Sequence, residues 1–237
     1  MGIKNTIEGL AAELRGKSCR LIAVSKTQPV DKIQEAYDAG QRLFGENKAQ
    51  EMKQKYEVLP TDIEWHMIGH LQTNKVKYIA PFVALIHSVD STRLLEEINR
   101  QGQKANRIIP CLLQVYIARE ESKFGFDEEE VRQLVNQPLP EQFPFIQIKG
   151  LMGMASLTEN QEQIRQEFGT LRALFNELKS RKLPSNMEMA ELSMGMSSDY
   201  QIALEQGSTL IRVGTAIFGE RIYPANPWIH TWSLPWF

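Results

Sequence analysis

Lys26 follows a run of Leu21, Ile22, Ala23 and Val24 and precedes Gln28 and Pro29, so its amine is expected at the C-terminal end of a short buried strand. In a barrel or open sheet of parallel strands that end is where ligands bind. A lysine held there can shed its proton and attack a carbonyl. A solvated lysine closing the strand is the ordinary alternative. Far along the chain, SMGMSSDY places Ser197 and Ser198 ahead of Asp199 and of a helix that ends at Gly207. Hydroxyls and unpaired amides then meet at a helix N-terminus, which is an anion site. In IRVGTAIFGE, Gly214 and Thr215 follow a strand over 210–213. The glycine lets the backbone approach a ligand, the threonine adds a donor, and barrels hold phosphate in these last two loops. A capping box between Ser198 and Gln201, worth about 1 kcal/mol, is the structural alternative and is compatible with phosphate binding.

Arg212 lies in a strand otherwise made of Leu210, Ile211 and Val213. A buried guanidinium without a partner costs several kcal/mol, so it must meet a carboxylate, a carbonyl or a ligand acceptor. A structural ion pair is the usual answer, but this arginine stands two residues before the proposed phosphate loop. A lysine that can form an imine, a phosphate cradle and an arginine able to face a ring nitrogen together fit pyridoxal 5'-phosphate (PLP).

These residues need a sheet to bring them together. At the N-terminus, Asn5 and Glu8 have the spacing of a capping box before a helix with Ile7, Leu10, Ala11 and Leu14 inward. The Met-Gly-x-x-x-Thr start also matches a myristoylation pattern, a weaker reading than the helix. After Lys26, Val30, Ile33, Ala36 and Tyr37 share a helical face that Gly40 ends, and Leu43 and Phe44 form a strand. Asn47 opens the next helix, where a capping box with Gln50 competes with ligand contact. A strand over 64–68 leads to a helix carrying Val76 and Ile79 and stopped by Pro81. A strand over 83–89 leads to a helix from Thr92 closed by Gly102. The alternation continues with a strand over 108–117, an acidic helix near Asp127, a strand over 146–154 and a long helix with Ile164, Phe168, Leu171, Leu174, Phe175 and Leu178 inward. A strand over 187–194, a helix over 198–206 and the strand over 210–213 complete the pattern. If the segment after Val213 supplies the last helix, strand and helix alternate eight times. That count predicts an α/β fold of the (β/α)8 TIM-barrel type, with a doubly wound open sheet as the alternative.

The 237 residues fit one barrel domain over 1–237, with an N-terminal helix over 1–18 and a Trp/Pro-rich tail over 222–237. Trp228, Trp232 and Trp236 of that tail are expected to pack back on the barrel. The formal charge of -2 gives no electrostatic case for nucleic acid, and no apolar stretch approaches the roughly 20 residues of a membrane span. Cys19 and Cys111 form no CxxC, so a reduced, cytoplasmic setting is the simplest account.

The segments AVSKTQP, LFGENKAQE, WHMIGHLQTNK, SVDS, ESKFGF, GLMGMA, LSMGMSSDY and IRVGTAIFGE resemble, in order, the signatures of the pyridoxal phosphate homeostasis protein (YggS/PROSC) family. They run from Lys26 to Glu220, nearly the whole predicted barrel. The resemblance implies that Lys26 forms the internal aldimine with PLP, that Ser197, Ser198, Gly214 and Thr215 hold the phosphate, and that Arg212 faces the pyridine nitrogen. It puts Asn47 and Met67 near the ring. His66 and His70 fall in the third signature; they straddle a strand end without an HExxH pattern, so packing and hydrogen bonding are expected of them rather than zinc. Lys123, in SKFG, is expected either to contact the cofactor or to lie on the surface.

The barrel is also similar to the N-terminal domain of alanine racemase, a family that adds a C-terminal β domain and a second acid/base from a partner subunit. No C-terminal β domain is expected here, because too little chain follows Glu220. Racemisation needs proton transfer on both faces of a carbon, and Lys26 serves one. A cation beside the pyridine nitrogen would also weaken the ring as an electron sink. The expectation is a monomeric protein of intracellular vitamin B6 homeostasis that holds PLP without evident catalysis, influences amino-acid and keto-acid balance, and makes transient contact with PLP apoenzymes. A PLP-dependent amino-acid racemase and an aldolase-type barrel using Lys26 on a sugar phosphate are the alternatives.

Overall fold

The computed structural model describes residues 2–118 and 124–219. Eight strands close into a parallel barrel in chain order: β1 (Arg20–Val24), β2 (Leu43–Glu46), β3 (Glu64–Met67), β4 (Leu85–Val89), β5 (Ile109–Gln114), β6 (Ile146–Met152), β7 (Met187–Met196) and β8 (Leu210–Val213). The ring shuts where β1 pairs with β8, from Arg20 opposite Leu210 to Ala23 opposite Val213. The closed sheet decides for the barrel over the open alternative.

Alternation along each strand sends one set of side chains inward and the other toward the helices. Ile22, Leu85, Leu112, Met152 and Leu210 form a small apolar cluster of their own, one residue from each of five strands, filling the barrel. A much larger cluster, with Trp65, Phe44, Ile86 and Phe168 fully buried, joins the outer face of the sheet to the helices.

The outer layer comprises α1 (Ile3–Leu14), α2 (Val30–Asp38), α3 (Ala49–Tyr56), a 3-10 helix (Thr73–Tyr78), α4 (Thr92–Ala105), α5 (Glu128–Val135), α6 (Leu139–Gln142), α7 (Gln161–Lys179), α8 (Tyr200–Glu205) and α9 (Thr215–Phe218). The segment after β8 is only the four residues of α9, too short to cover a strand. The N-terminal helix takes that place. α1 buries Ile3, Ile7, Leu10 and Leu14 and packs on α2, α9 and β1, while Tyr200 of α8 donates to Glu13 at 3.1 Å.

Local starts and stops differ from the predicted ones. α1 begins at Ile3 with Gly2 at the cap, so Asn5 is already inside the helix and makes no capping box with Glu8. The third unit is a single 3-10 segment rather than an α-helix; Val76 is its one buried residue, and Pro81 forbids continuation. α4 runs past Gly102 to Ala105 and ends on Asn106 in the left-handed region (φ +50°). Gly102 serves packing instead: a Cβ there would lie 2.9 Å from the Arg107 carbonyl and from Phe145.

Candidate functional site

The C-terminal ends of β1, β2, β7 and β8 surround a cleft of about 440 Å³. Lys26, Asn47, Ser197, Ser198, Arg212, Gly214 and Thr215, seven of the eight residues singled out in the sequence, line it together. Met67 does not. It is buried on the outer side of β3, and its neighbour Ile68 lines the cleft in its place, as alternation along a strand requires. Lys123 and the three tail tryptophans lie outside the described residues.

Lys26 follows β1 after the single residue Ser25, on a backbone held from both sides. The carbonyl of Ser25 accepts from Lys55 Nζ at 2.8 Å, and the amide of Thr27 donates to Glu51 Oε1 at 2.6 Å. Both peptide groups flanking the Lys26 Cα are therefore tied to α3. Thr27 sits at φ +63°, a conformation unfavourable for a β-branched residue, and the two bonds to α3 hold it there. Lys55 also donates to Glu46 Oε1 at 2.8 Å and Glu51 Oε1 at 2.7 Å, and the Ser25 hydroxyl donates to Glu46 Oε1 at 2.6 Å. Burial raises the Glu46 carboxyl against the opposing pull of Lys55, and its Oε2 has no hydrogen-bond partner among the described residues.

Asn47 makes no helix cap. α3 starts at Ala49 behind Lys48, which leaves Asn47 to the cleft. Gly69 makes that placement possible, because a Cβ there would lie 2.7 Å from both the Cα and the carbonyl oxygen of Asn47. Ser198 is not a cap either: Asp199 occupies the cap position of α8, and its carboxylate accepts from the Met196 amide at 2.6 Å instead. Both serines of the pair line the cleft, and Ser197 Oγ accepts from the Gly214 amide at 3.3 Å, joining the last two loops. A Cβ on Gly214 would come within 3.1 Å of the Val24 carbonyl, so glycine lets the end of β8 close on the end of β1.

Arg212 points into the barrel and is 4% exposed. Its Nη1 donates to Ser193 Oγ at 2.5 Å and its Nη2 to the Gly153 carbonyl at 3.1 Å. Burial lowers its pKa to about 10, opposed by the attraction of Asp199, and it stays a cation at neutral pH. Burial raises Asp199 in turn, against the Met196 amide and Arg212. His66 is inside the barrel, hydrogen-bonded to His87 at 2.9 Å, whereas His70 is exposed and bonds Asp90 at 3.0 Å. Among the described residues no three histidine, cysteine or acidic side chains converge. Both cysteines are buried unpaired thiols, and burial raises each.

Residues 2–222 match the family described as the alanine racemase N-terminal domain. The chain is 42% identical over 211 residues to the pyridoxal phosphate homeostasis protein of Aquifex aeolicus strain VF5, covering 88% of this chain and 90% of that one. The chain belongs to the pyridoxal phosphate homeostasis protein family. A solved relative, PipY of Synechococcus elongatus PCC7942 with PLP bound, superposes with a TM-score of 0.81 at 38% identity, over 92% of this chain and 100% of that one. Alanine racemase from Bartonella henselae shares the fold alone: its TM-score is 0.70 at 19% identity, and this chain covers 60% of its length.

In this member of the homeostasis family, sequence reasoning missed the support beneath Lys26. The i,i+4 spacing of Glu51 and Lys55 and an acidic residue ending an apolar strand at Glu46 were the available signals. Ser193, His87 and Gly153, which hold or adjoin Arg212, carry no local signature.

Proposed function

We propose that this protein binds PLP in the cleft at the C-terminal face and serves intracellular PLP homeostasis as a reversible holder of the cofactor. The observation that carries this reading is the meeting in one cleft of a strand-end lysine, the hydroxyls and glycine of the last two loops, and a buried arginine. When bound, PLP supplies an aldehyde for an amine, a phosphate for hydrogen-bond donors and a pyridine nitrogen. The chemistry of this donor set fits each. Lys26 would attach the aldehyde, Ser197, Ser198, Gly214 and Thr215 would hold the phosphate, and Arg212 would face the ring nitrogen, with Asn47 beside the ring. Arg212 brings fixed donors and a positive charge, which bind a neutral ring nitrogen and disfavour its protonation.

Holding rather than turnover is supported by what else lines the cleft. Among its described lining residues none is a histidine, tyrosine, cysteine or carboxylate, the side chains that most often serve as a second acid or base. We infer a monomeric, cytoplasmic, single-domain protein that releases PLP to apoenzymes through transient contact. Among the described residues no helix is long and apolar enough to cross a membrane.

Titration with PLP is expected to give the visible absorption of protein-bound cofactor, and Lys26→Ala is expected to abolish it. Borohydride trapping followed by peptide mass spectrometry should place the added mass on Lys26. An unchanged band in Lys26→Ala, or no band in the wild-type protein, overturns the reading. Sustained racemisation of an amino acid dependent on Lys26 would replace the holder with an enzyme.

A further inference from the structure

Behind Arg212 runs a line of buried polar groups that the cofactor contacts do not explain. Ser193 and His87 are 0% exposed and His66 is 2% exposed. Ser193 Oγ lies 2.5 Å from Arg212 Nη1 and 2.9 Å from His87 Nδ1, and His87 Nε2 lies 2.9 Å from His66 Nδ1. His66 stands opposite Leu85 in the strand register, so the line leads from the cleft to the apolar layer that fills the barrel.

One end of this line sets the direction of the rest. A guanidinium has only donors, so the Ser193 oxygen accepts from Arg212 and its hydrogen remains for His87. His87 Nδ1 then accepts, the ring hydrogen sits on Nε2, and His66 Nδ1 accepts that in turn. The only group left over is His66 Nε2–H, which has no partner among the described residues. The opposite direction would make His87 Nδ1 a donor to Ser193. That would strand the serine hydrogen at a fully buried site as well as a bare His66 Nε2, two orphaned groups instead of one.

We propose that the His66–His87–Ser193 string is a positioning device for Arg212: with both imidazoles fixed as neutral Nε2–H tautomers, it locks the guanidinium plane so that the remaining edge faces the cleft. Ser193 and Gly153 together fix two of the three guanidinium nitrogens, and a planar group held at two points has no rotation left. Ser193, His87 and His66 are positioning residues and touch no ligand. The role assigned to the string toward the cofactor rests on the PLP reading above, whereas the string itself belongs to the protein without ligand.

The experiment has two arms. Nitrogen-15 NMR of the histidine side chains in cofactor-free protein is expected to show His66 and His87 as single, neutral Nε2–H tautomers. Ser193→Ala should release His87 into a tautomer mixture, whereas His66→Phe, which leaves the Ser193 hydroxyl bonded to His87 Nδ1, should keep His87 as Nε2–H; a switch to Nδ1–H in His66→Phe overturns the string even should Ser193→Ala fail to fold. An Nδ1–H tautomer or free tautomer exchange at His87 in the wild-type protein overturns the string. In the second arm, PLP titration followed by absorbance should show about tenfold weaker binding and a shifted band in Ser193→Ala, the scale of one lost hydrogen bond. Ser193→Thr, which keeps the hydroxyl, should restore both. A Ser193→Ala protein that loses thermal stability yet binds PLP with unchanged affinity and spectrum overturns the positioning role. Failure of the wild-type protein to bind PLP would sink the cofactor reading alone, since the first arm contains no PLP.

Discussion

Lys26 is held by its neighbours' backbone rather than by its own secondary structure, and the holding group is itself a charged cluster. Lys55 is buried among Glu46, Glu51 and the Ser25 carbonyl, with its side chain only 7% exposed. Removing one member of a buried ion cluster strands the remaining charges, which typically costs 3–5 kcal/mol. Lys55→Met is therefore expected to lower stability by about that amount in urea unfolding, and Glu46→Gln in the same background should recover part of it by removing the stranded carboxylate. PLP binding should weaken alongside, because the peptide groups on either side of Lys26 lose an anchor. A loss under about 1 kcal/mol would show that the cluster does not carry the lysine. The residues that line the cleft were largely legible, since a lysine ending an apolar run and a Ser-Ser pair or a Gly-Thr pair after a strand announce themselves locally. The cluster was not. Glu46, Glu51 and Lys55 look like surface charges until the barrel closes over them.

At the scale of elements, strand positions were readable because a buried parallel strand is a short apolar run, and β3, β4, β5, β6 and β8 fall within or on the predicted runs. Helix starts were readable at α2, α4 and α5, which begin behind Pro29, Ser91 and Asp127, but not at α1, α3 and α8. Asn5, Asn47 and Ser198 each match a capping pattern, yet α1, α3 and α8 are capped by Gly2, Lys48 and Asp199 without any side-chain cap bond. Such patterns are short and recur wherever polar residues cluster; the site of packing decides where a helix begins. For Asn47 the displaced cap is consequential, as it frees the side chain to line the cleft. Gly69 maintains that arrangement, so Gly69→Ala should push the Asn47 backbone aside. The expected cost is about 1–3 kcal/mol of stability, the usual range for overpacking, with weaker PLP binding. Thermal unfolding and PLP titration together check this, and a variant unchanged in both would mean that the loop after β3 relaxes without moving Asn47.

The whole molecule carries buried groups whose titrations oppose one another. Burial lowers His66 to about 3 and holds His87 well below its ordinary value of 6.5, whereas it raises Glu46 from 4.5 to about 7. The signs follow from which state binds the proton. Below pH 6.5 the unfolded chain protonates both histidines and the barrel does not, so each subtracts stability as pH falls, by about 1.4 kcal/mol per pH unit. Between pH 4.5 and 7 Glu46 keeps a proton in the barrel that it loses on unfolding, so it subtracts stability as pH rises. Replacing one group at a time separates them. Glu46→Gln should steepen the loss of stability between pH 6.5 and 4.5 by up to about 1.4 kcal/mol per pH unit, and His66→Phe should flatten it by a similar amount. Urea unfolding across that interval measures both slopes. If the slopes of the two variants matched that of the wild-type protein, the buried imidazoles and the carboxyl beneath Lys26 would titrate in the fold as they do in the unfolded chain, and the interior would have to be far more open to water than its packing implies.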